Sequence, residues 1–427
     1  MALSERKSAA SVEKNTWVPF EKNVSIITER KKSTPTEKIP FAVTVKKILA
    51  DTEIKNSVFT TIKSSAPTDR KSSQSEGKQE INYYDTSQSI VSHLSKEEFK
   101  SSDTKLSQKL SSSGSLQIRN LSEFLKKSKT DFESLYVERS VCHVKITDFN
   151  LIKQLGSGGF GSVILAELKQ DKNLYAIKFI EKKIVLERKY FRYVNSEKRV
   201  LQSVNFPFII SLKYFFVDSK FLYFVMPFVP GGDFHKFLTK HPLVEKEAKF
   251  YIGQLVLALE YLHNLDVIHR DLKPQNVIID ALGYLKLADF GQCIRCYDRD
   301  KTWTMTGTPE YMAPEILIGR GYDCSVDWWS LGVTTFETCA GKRPFSHDNK
   351  RKLYTLILSV KYSFPKHFSR SLKKFVSHLL VGEPSKRMAN NDKKASEVKE
   401  HAWLRDTDWL ALLNRSIQAP YLPETKD

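Results

Sequence analysis

The stretch of sequence that most constrains the fold is HRDLKPQN, at residues 269–276. It sets Asp271, Lys273 and Asn276 close together between apolar residues, and ADFG follows at 288–291. Crowded charges cost free energy unless they are paired or bind a charged group. The cluster is therefore either a satisfied structural turn or a site that handles a highly charged ligand.

A glycine-rich stretch, GSGGFG at 156–161, is compatible with two kinds of nucleotide site. In a dinucleotide-binding fold the third glycine opens a helix, but here it opens SVILAEL, which has the residue types of a strand. The other use is a glycine loop between two antiparallel strands that lies over a nucleotide's phosphates. Lys178, in the strand-like YAIKFI, follows this loop between apolar neighbours. A lysine on a strand usually faces solvent, but one in this position is better explained as reaching phosphate oxygens.

The ammonium of Lys178 needs a partner if it is buried. Glu197 lies in a predicted helix at 189–204 and is a candidate for that partner. The polar run SEKR around it equally indicates an acid on the surface of a helix. The sequence leaves both interpretations open.

The opening cluster carries the groups that phosphoryl transfer requires. Asp271 can accept a proton from a substrate hydroxyl or orient it, and Lys273 can neutralise charge on the group in transfer. Asn276 and Asp289 offer hard oxygen ligands for Mg²⁺. The glycine loop, strand lysine, helix glutamate, HRDLKPQN, DFG and APE motifs occur in this order, which is the signature set of a protein kinase.

Residues 121–422 resemble AGC-group Ser/Thr protein kinases, most closely the catalytic subunits of cAMP-dependent kinases, with cGMP-dependent kinases next. The resemblance implies an α+β, bilobal protein kinase fold: a small β-rich N-lobe with one main helix, a larger helical C-lobe, and a preceding disordered arm. It implies ATP and Mg²⁺ as cofactors. The residues that it implies for ATP binding are Leu155, Gly156, Ser157, Gly158, Gly159, Phe160, Gly161, Val163, Ala176, Lys178, Glu197, Met226 and Phe228.

The stretch TWTMTGTPEYMAPE at 302–315 resembles the activation segment of this family. The match places an activating phosphorylation at Thr304, added by an upstream kinase or by autophosphorylation. Arg270 and Arg295 are the expected cations for that phosphate. Tyr193 stands where the family usually offers a histidine, which weakens the expected link between the phosphate and the helix that carries Glu197.

Substrate selection is implied by a second set of matches. Thr308 corresponds to the substrate-facing threonine of the activation segment. Asp233 and Glu337 match acids that read arginines before the target residue, but Gln275 stands where the family has a third acid. We therefore expect a retained preference for arginine at position −3 and a weaker one at −2.

Two further matches concern the framework around the site. Asp327, in DWWSLG, matches the aspartate that braces the catalytic loop. Arg387, in SKRM, matches the arginine that pairs with Glu315.

The chain divides by composition into four parts. The first is rich in Ser, Thr and Lys, and we predict that it is disordered because it buries too little apolar surface to offset its ordering entropy. The parts are an extension at 1–120, an amphipathic helix and linker at 121–148, a kinase domain at 149–404 (lobes 149–227 and 228–404) and a truncated AGC-type tail at 405–427. The tail lacks the acidic stretch and terminal Phe-x-x-Phe of the family.

Composition limits the remaining classes of function. The net charge of +18 is interleaved with acids, and no nucleic-acid module is recognisable, so no specific nucleic-acid partner is predicted. The five cysteines are few for the chain's length and indicate a reducing compartment. No apolar run is long enough to cross a bilayer. We expect a cytoplasmic protein with the nucleus as a second location.

Two hypotheses remain from different classes. In the first, an active kinase acts on ATP and on Ser/Thr protein substrates, and it is controlled either by a separate cyclic-nucleotide-binding regulatory subunit or only by its own N-terminal arm. In the second, a pseudokinase scaffold binds partners without transferring phosphate. Intact Lys178, Asp271, Asn276 and Asp289 argue against the scaffold, which needs none of them.

Overall fold

The computed structural model describes residues 106–137, 143–158, 161–296, 301–390 and 395–423, with side chains from Leu121 onward. All of them belong to one compact unit, Ser73–Asp427. The extension up to residue 105 and the loop residues Gly159 and Phe160 lie outside the described residues. No helix in the described ranges is long and apolar enough to cross a membrane.

The N-lobe is built on one antiparallel sheet. Its strands are β1 (Phe149–Gly158), β2 (Gly161–Leu168), β3 (Leu174–Glu181), β4 (Tyr214–Val217) and β5 (Phe221–Pro227), in the order β1-β2-β3-β5-β4. Alternation along β3 buries Tyr175, Ile177 and Phe179 on one face. Because successive side chains of a strand point to opposite faces, Ala176 and Lys178 lie on the other.

The turn into β2 requires a glycine. Gly161 has a φ of +156°, and a Cβ at this position would lie 1.7 Å from the carbonyl oxygen of Phe179 on β3. No side chain can be accommodated at that distance, so the close approach of the two strands fixes glycine at the third position of the loop.

Two helices complete the N-lobe: α2 (Lys182–Glu187) and α3 (Phe191–Ser203). On α3, Glu197 is buried together with Val200 and Leu201. One face of α3 therefore contributes both apolar packing and a carboxylate to the interior.

The C-lobe is mainly helical. Its helices are α4 (Phe234–Lys240), α5 (Glu245–Asn264), α6 (Pro314–Leu317), α7 (Ser325–Ala340), α8 (Lys350–Leu358), α9 (Arg370–Leu379), α10 (Ala395–Glu400) and α11 (Trp409–Leu413). Residues 251–259 of α5 and 325–339 of α7 are buried without a break. Helices buried on every side form the centre of a large lobe, and these two carry its core.

Two short antiparallel strand pairs occur in the C-lobe. β6 (Val267–Ile268) pairs with β9 (Ile294–Arg295), and β7 (Val277–Ile279) pairs with β8 (Leu285–Leu287). The HRDLKPQN loop connects β6 to β7, and the DFG motif follows β8. The two pairings therefore bring both motifs to the same end of the lobe. The predicted α+β, bilobal fold is confirmed.

Helix α1 (Leu106–Val137) begins before the predicted start at residue 121, within the extension predicted to be disordered. Extending a helix costs less than nucleating one, so the helix of the packed segment can continue into the polar residues that precede it. The packed part is amphipathic, as predicted, with Phe132 fully buried. Asn264 Nδ2 of the C-lobe donates to the carbonyl of Leu125 at 2.9 Å, and Gln202 Nε2 of the N-lobe donates to that of Leu135 at 3.1 Å.

Candidate active site

The loop after β6 is fastened by one buried carboxylate. Asp327, on α7, accepts hydrogen bonds from the backbone N–H of His269 at 2.9 Å and of Arg270 at 2.8 Å, and lies 2.8 Å from Nε2 of His263. Burial acts to raise the pKa of Asp327, but the hydrogen bond and charge of His263 outweigh it and lower the pKa. Arg270 has a φ of +68°, which is uncommon outside glycine. These bonds thus hold a strained turn, as the match for Asp327 predicted.

Asp271 is buried. Its carboxylate and the ammonium of Lys273 both contact the hydroxyl of Thr308. Oδ2 accepts from Lys273 Nζ at 2.7 Å and from Asn276 Nδ2 at 2.9 Å. Oδ1 accepts from the hydroxyl of Thr308 at 2.7 Å, and Lys273 Nζ lies 2.5 Å from the same hydroxyl. The Asp271–Lys273 pair is therefore spaced to hold an alcohol oxygen between a carboxylate and a cation.

Lys178 is paired with the predicted helix acid. Its Nζ lies 2.6 Å from Oε1 of Glu197 and 3.5 Å from Oδ1 of Asp289. Burial acts to lower the pKa of Lys178, but the two carboxylates outweigh it and raise the pKa, so the ammonium stays charged. Glu197 is only 4% exposed, which excludes the surface-acid interpretation.

The residues implied for the metal flank the β7–β8 hairpin, with Asn276 directly before β7 and Asp289 shortly after β8. Asn276 uses its amide N–H₂ on Asp271, which leaves its amide oxygen as a ligand. The side chain of Asp289 is 51% exposed. Partial desolvation acts to raise its pKa, but the charge of Lys178 and other nearby groups outweigh it and lower the pKa, so the carboxylate stays ionised. No group of three or more His, Cys, Asp or Glu suited to a metal occurs in the described part of the chain. Two oxygen ligands fit Mg²⁺, which completes its shell with water and substrate phosphates.

The sheet register gathers the implied ATP residues onto one face. Val163 is opposite Lys178, and Ala176 is opposite Met226; directly paired residues share a face of the sheet. Phe228, in the connection between the lobes, is partly buried, and Leu155, Gly156 and Ser157, near the end of β1, are exposed. This face thus ends at the connection on one side and at the Lys178–Glu197 pair on the other.

Thr304 is exposed on the activation segment and is linked to Arg270 through a tyrosine. The hydroxyl of Tyr322 donates to the carbonyl of Thr304 at 2.6 Å and accepts from Arg270 at 3.2 Å. Arg270 also donates to the carbonyl of Gln292 at 2.5 Å. The arginine expected to bind a phosphate is therefore linked through Tyr322 to the backbone of Thr304.

Arg295, the second expected cation, is engaged by helix α1. Its guanidinium pairs with Glu133 and lies 4.8 Å from the ring of Tyr136. Arg295 and Thr304 line the same cavity of about 540 Å³. A role for Arg295 toward phosphate stays a prediction.

The acids implied for substrate selection differ in their surroundings. Asp233 caps α4 and pairs with Lys236 at 2.8 Å. Glu337 is 6% exposed, receives the hydroxyl of Tyr311 and lies 3.5 Å from Nδ1 of His235. Burial raises the pKa of Glu337. Gln275 is exposed.

Three of these contacts were not predicted from the sequence: His263 to Asp327, Tyr322 to Thr304, and Tyr311 to Glu337. Each joins residues from elements far apart in the chain. No local spacing signals such a pair, so only the packed lobe reveals it.

Comparison with known proteins agrees with this geometry. A family model described as "Protein kinase domain" matches residues 149–404. The "cAMP-dependent protein kinase catalytic subunit PRKX" of Homo sapiens is 38% identical over 280 residues, which is 65% of this chain and 78% of the relative. The "cAMP-dependent protein kinase catalytic subunit 2" of Drosophila melanogaster is 41% identical over 278 residues, 63% of this chain and 76% of the relative.

A third relative, from Schizosaccharomyces pombe, is described as "cAMP-dependent protein kinase catalytic subunit". It is 40% identical over 279 residues, which is 65% of this chain but only 54% of the relative's length.

Proposed function

The chain belongs to the protein kinase family, and on that premise we propose that it phosphorylates Ser and Thr residues that follow an arginine at position −3. It is a Ser/Thr kinase similar to the catalytic subunits of cAMP-dependent kinases, and it uses ATP with Mg²⁺. The substrate preference goes beyond this family membership.

The observation that carries catalysis is the hydroxyl held between Asp271 and Lys273. A substrate hydroxyl in the same relation to Asp271 would be oriented and would lose its proton to the carboxylate. Lys273 would stabilise charge on the transferred group, and Lys178, fixed by Glu197, would hold phosphate oxygens. Mg²⁺, when bound by Asn276 and Asp289, supplies neutralisation of the phosphate charge.

We attribute the preference at −3 to Asp233, which is partly exposed. Its Oδ1 caps α4, and its Oδ2 pairs with the flexible side chain of Lys236. An exposed pair of this kind contributes about 0.2–1 kcal/mol, so a substrate arginine can replace Lys236 at little cost. Glu337 is already engaged by Tyr311 and His235. With Gln275 uncharged, we propose that arginine at −2 is selected weakly.

The first test measures phosphate transfer from ATP and Mg²⁺ to a Ser peptide with Arg at −3. Asp271→Asn should lower kcat roughly 10²–10⁴-fold, the range ascribed to a positioned general base. Asp348→Asn, a change at an exposed aspartate, is the control and should leave kcat unchanged. Absence of transfer by the wild type, or equal transfer by Asp271→Asn, would favour the scaffold hypothesis.

The second test concerns Gln275. Gln275→Glu should raise the ratio of kcat/KM for a peptide with Arg at −3 and −2 over one with Arg at −3 alone by about two- to fivefold, since it restores an exposed charge pair. Gln275→Asn is the neutral control. A wild type that already selects strongly for arginine at −2 would contradict the proposed specificity while leaving the kinase activity intact.

Regulation is proposed at two points. Phosphorylation of Thr304, by an upstream kinase or by the enzyme itself, is supported by the route from Thr304 through Tyr322 to Arg270. A separate cyclic-nucleotide-binding subunit is supported by the relatives, which are named as cAMP-dependent catalytic subunits. For the first point, Thr304→Ala should lower kcat. For the second, such a subunit should inhibit the kinase, and cAMP should relieve the inhibition.

A further inference from the structure

A cavity of about 370 Å³ lies beside the connection between the lobes. The connecting segment 227–230 forms one side of it. Ile209, Ile210 and Leu282 supply apolar surface, whereas Asp280, Lys286 and Arg415 supply charge. Of the residues implied for ATP binding, Phe228 of the connecting segment lines this cavity, whereas Lys178 and the Asp271 cluster do not. The cavity therefore adjoins the nucleotide site at the connection and lies apart from the catalytic groups.

Lys286 brings a cation with unused donors to the cavity. It lies on β8, and its Nζ donates to the carbonyl of Pro207 at 2.8 Å. An ammonium has three N–H donors, and in the described ranges only this one meets an acceptor. Burial, and then the charge of Arg415, lower the pKa of Lys286 to about 8. The ammonium is therefore partly desolvated, and Asp280, the carboxylate that acts on it, is already paired with Arg415.

Arg415 brings a second cation, from the segment after α11. It pairs with Oδ2 of Asp280, and its guanidinium lies 4.9 Å from the ring of Tyr284. Its Nε is buried without a hydrogen-bond partner in the part of the chain that is described. A buried donor left in this state is unfavourable, and the Arg415 side chain as a whole stays 28% exposed.

The one carboxylate at the cavity is already in use. Oδ1 of Asp280 accepts from the backbone N–H of Leu282 at 2.9 Å and of Tyr284 at 3.0 Å, and Oδ2 pairs with Arg415. Two cations thus share one acid that also fixes the β7–β8 turn. Among the described residues, the cavity therefore has two positive side chains and one negative side chain, and one bound anion would balance its charge.

We propose that this cavity binds a small organic carboxylate, with the carboxylate between Lys286 and Arg415 and an apolar group against Ile209, Ile210 and Leu282. Its volume falls within the range of small-molecule sites, which combine apolar walls with a few polar groups that fix orientation. One carboxylate oxygen would accept from the unused donors of Lys286, and the partly exposed guanidinium of Arg415 supplies the second positive charge. Charge-assisted hydrogen bonds are the stronger kind.

The test uses the full chain and three probes: phenylacetate, the uncharged phenylacetamide, and acetate, which lacks the apolar group. Binding is measured by calorimetric titration with and without saturating ATP and Mg²⁺. Phenylacetate should bind at least about tenfold more tightly than either other probe, since hydrogen bonds to charged groups are worth about 1.5–3 kcal/mol. ATP should not displace it.

Lys286→Gln removes the charge and should bring phenylacetate down to the affinity of phenylacetamide. Lys366→Gln, at an exposed lysine of the same lobe, is the matched control and should change nothing. A measurement on the wild type needs no variant: phenylacetate should slow acylation of Lys286 by an N-hydroxysuccinimide ester several-fold, read by peptide mass spectrometry.

Four outcomes would overturn the proposal. They are no binding of phenylacetate at millimolar concentration, equal binding of acid and amide, unchanged binding by Lys286→Gln together with unprotected Lys286, and displacement by ATP. The last would place the probe in the nucleotide site. Kinase activity is independent of each result.

Discussion

At the residue scale, a single carboxylate organises the catalytic loop. Asp327 is fully buried and accepts from two successive backbone N–H groups and a histidine. A carboxylate can accept all three hydrogen bonds because its two oxygens act only as acceptors and together offer about four lone-pair sites. Its role is to position Asp271 through the loop backbone, without touching the reacting atoms.

Asp327→Asn should lower the free energy of unfolding by about 1.5–3 kcal/mol at neutral pH, because an amide N–H₂ would face one of the three donors. The folded-state pKa of Asp327 is lowered, and the unfolded-state value is about 3.9. The ionised carboxylate therefore contributes stability above that value, and the contribution is lost as pH falls through the folded pKa. The measurement is urea unfolding of both proteins across this range.

The gap in unfolding free energy between the wild type and Asp327→Asn should be largest near neutral pH and should become smaller below about pH 4. Asp348→Asn, at an exposed position, should show no gap at any pH. A gap that is independent of pH would contradict an ionised Asp327.

At the element scale, helix α1 ties the two lobes together. Besides its contacts to Asn264 and Gln202, it pairs Lys129 with Asp266 at 3.0 Å. The guanidinium of Arg295 lies 5.2 Å from the ring of Phe132. The helix thus contacts α3, which carries Glu197, and β9, which precedes the activation segment.

Phe132→Ala should destabilise the protein by about 3–5 kcal/mol, because removing a fully buried aromatic ring loses its transfer free energy and leaves a cavity. Ser122→Ala, at an exposed position of the same helix, should stay within about 0.5 kcal/mol. Urea unfolding measures both. Equal stability of the two variants would show that α1 does not pack on the lobes in solution.

At the scale of the whole molecule, a buried ion pair joins the end of the activation segment to the C-lobe. Arg387 donates to both carboxylate oxygens of Glu315, at 2.6 and 2.9 Å, and to the carbonyls of Ser325 and Val381. Both side chains are at most 3% exposed. Removing only one partner of such a pair is strongly destabilising, because it leaves the other charge buried and uncompensated.

Glu315→Gln and Arg387→Met should each cost about 3–5 kcal/mol, and the double variant should cost clearly less than their sum. The same cycle on the exposed pair Lys183–Glu187, 3.8 Å apart, should give a coupling of no more than about 0.5 kcal/mol. Unfolding free energies of the four proteins in each cycle are the measurement. Additive losses at Glu315 and Arg387 would contradict a coupled buried pair.

Whether a residue of the site could be predicted from the sequence depends on whether its role follows from near neighbours in the chain or from packing. Lys178, Asp271, Asn276 and Asp289 could be assigned from motif spacing, because their roles depend on residue type and on short connections. Glu197 could not be decided, since a helix acid is buried or exposed according to what packs against it. The boundary between the extension and helix α1 stays a prediction, because polar composition does not show what the adjoining segment packs against.

The sequence by itself determined the order of the motifs, the change from strands to helices and the chemistry of the catalytic loop, all of which depend on interactions between near neighbours in the chain. The tertiary structure decided which distant groups meet: His263 with Asp327, Tyr322 with Thr304, and Lys286 with Arg415. It also decided their burial. Hydrogen bonding and desolvation depend on the separation of atoms in space, and packing sets that separation independently of the distance along the chain.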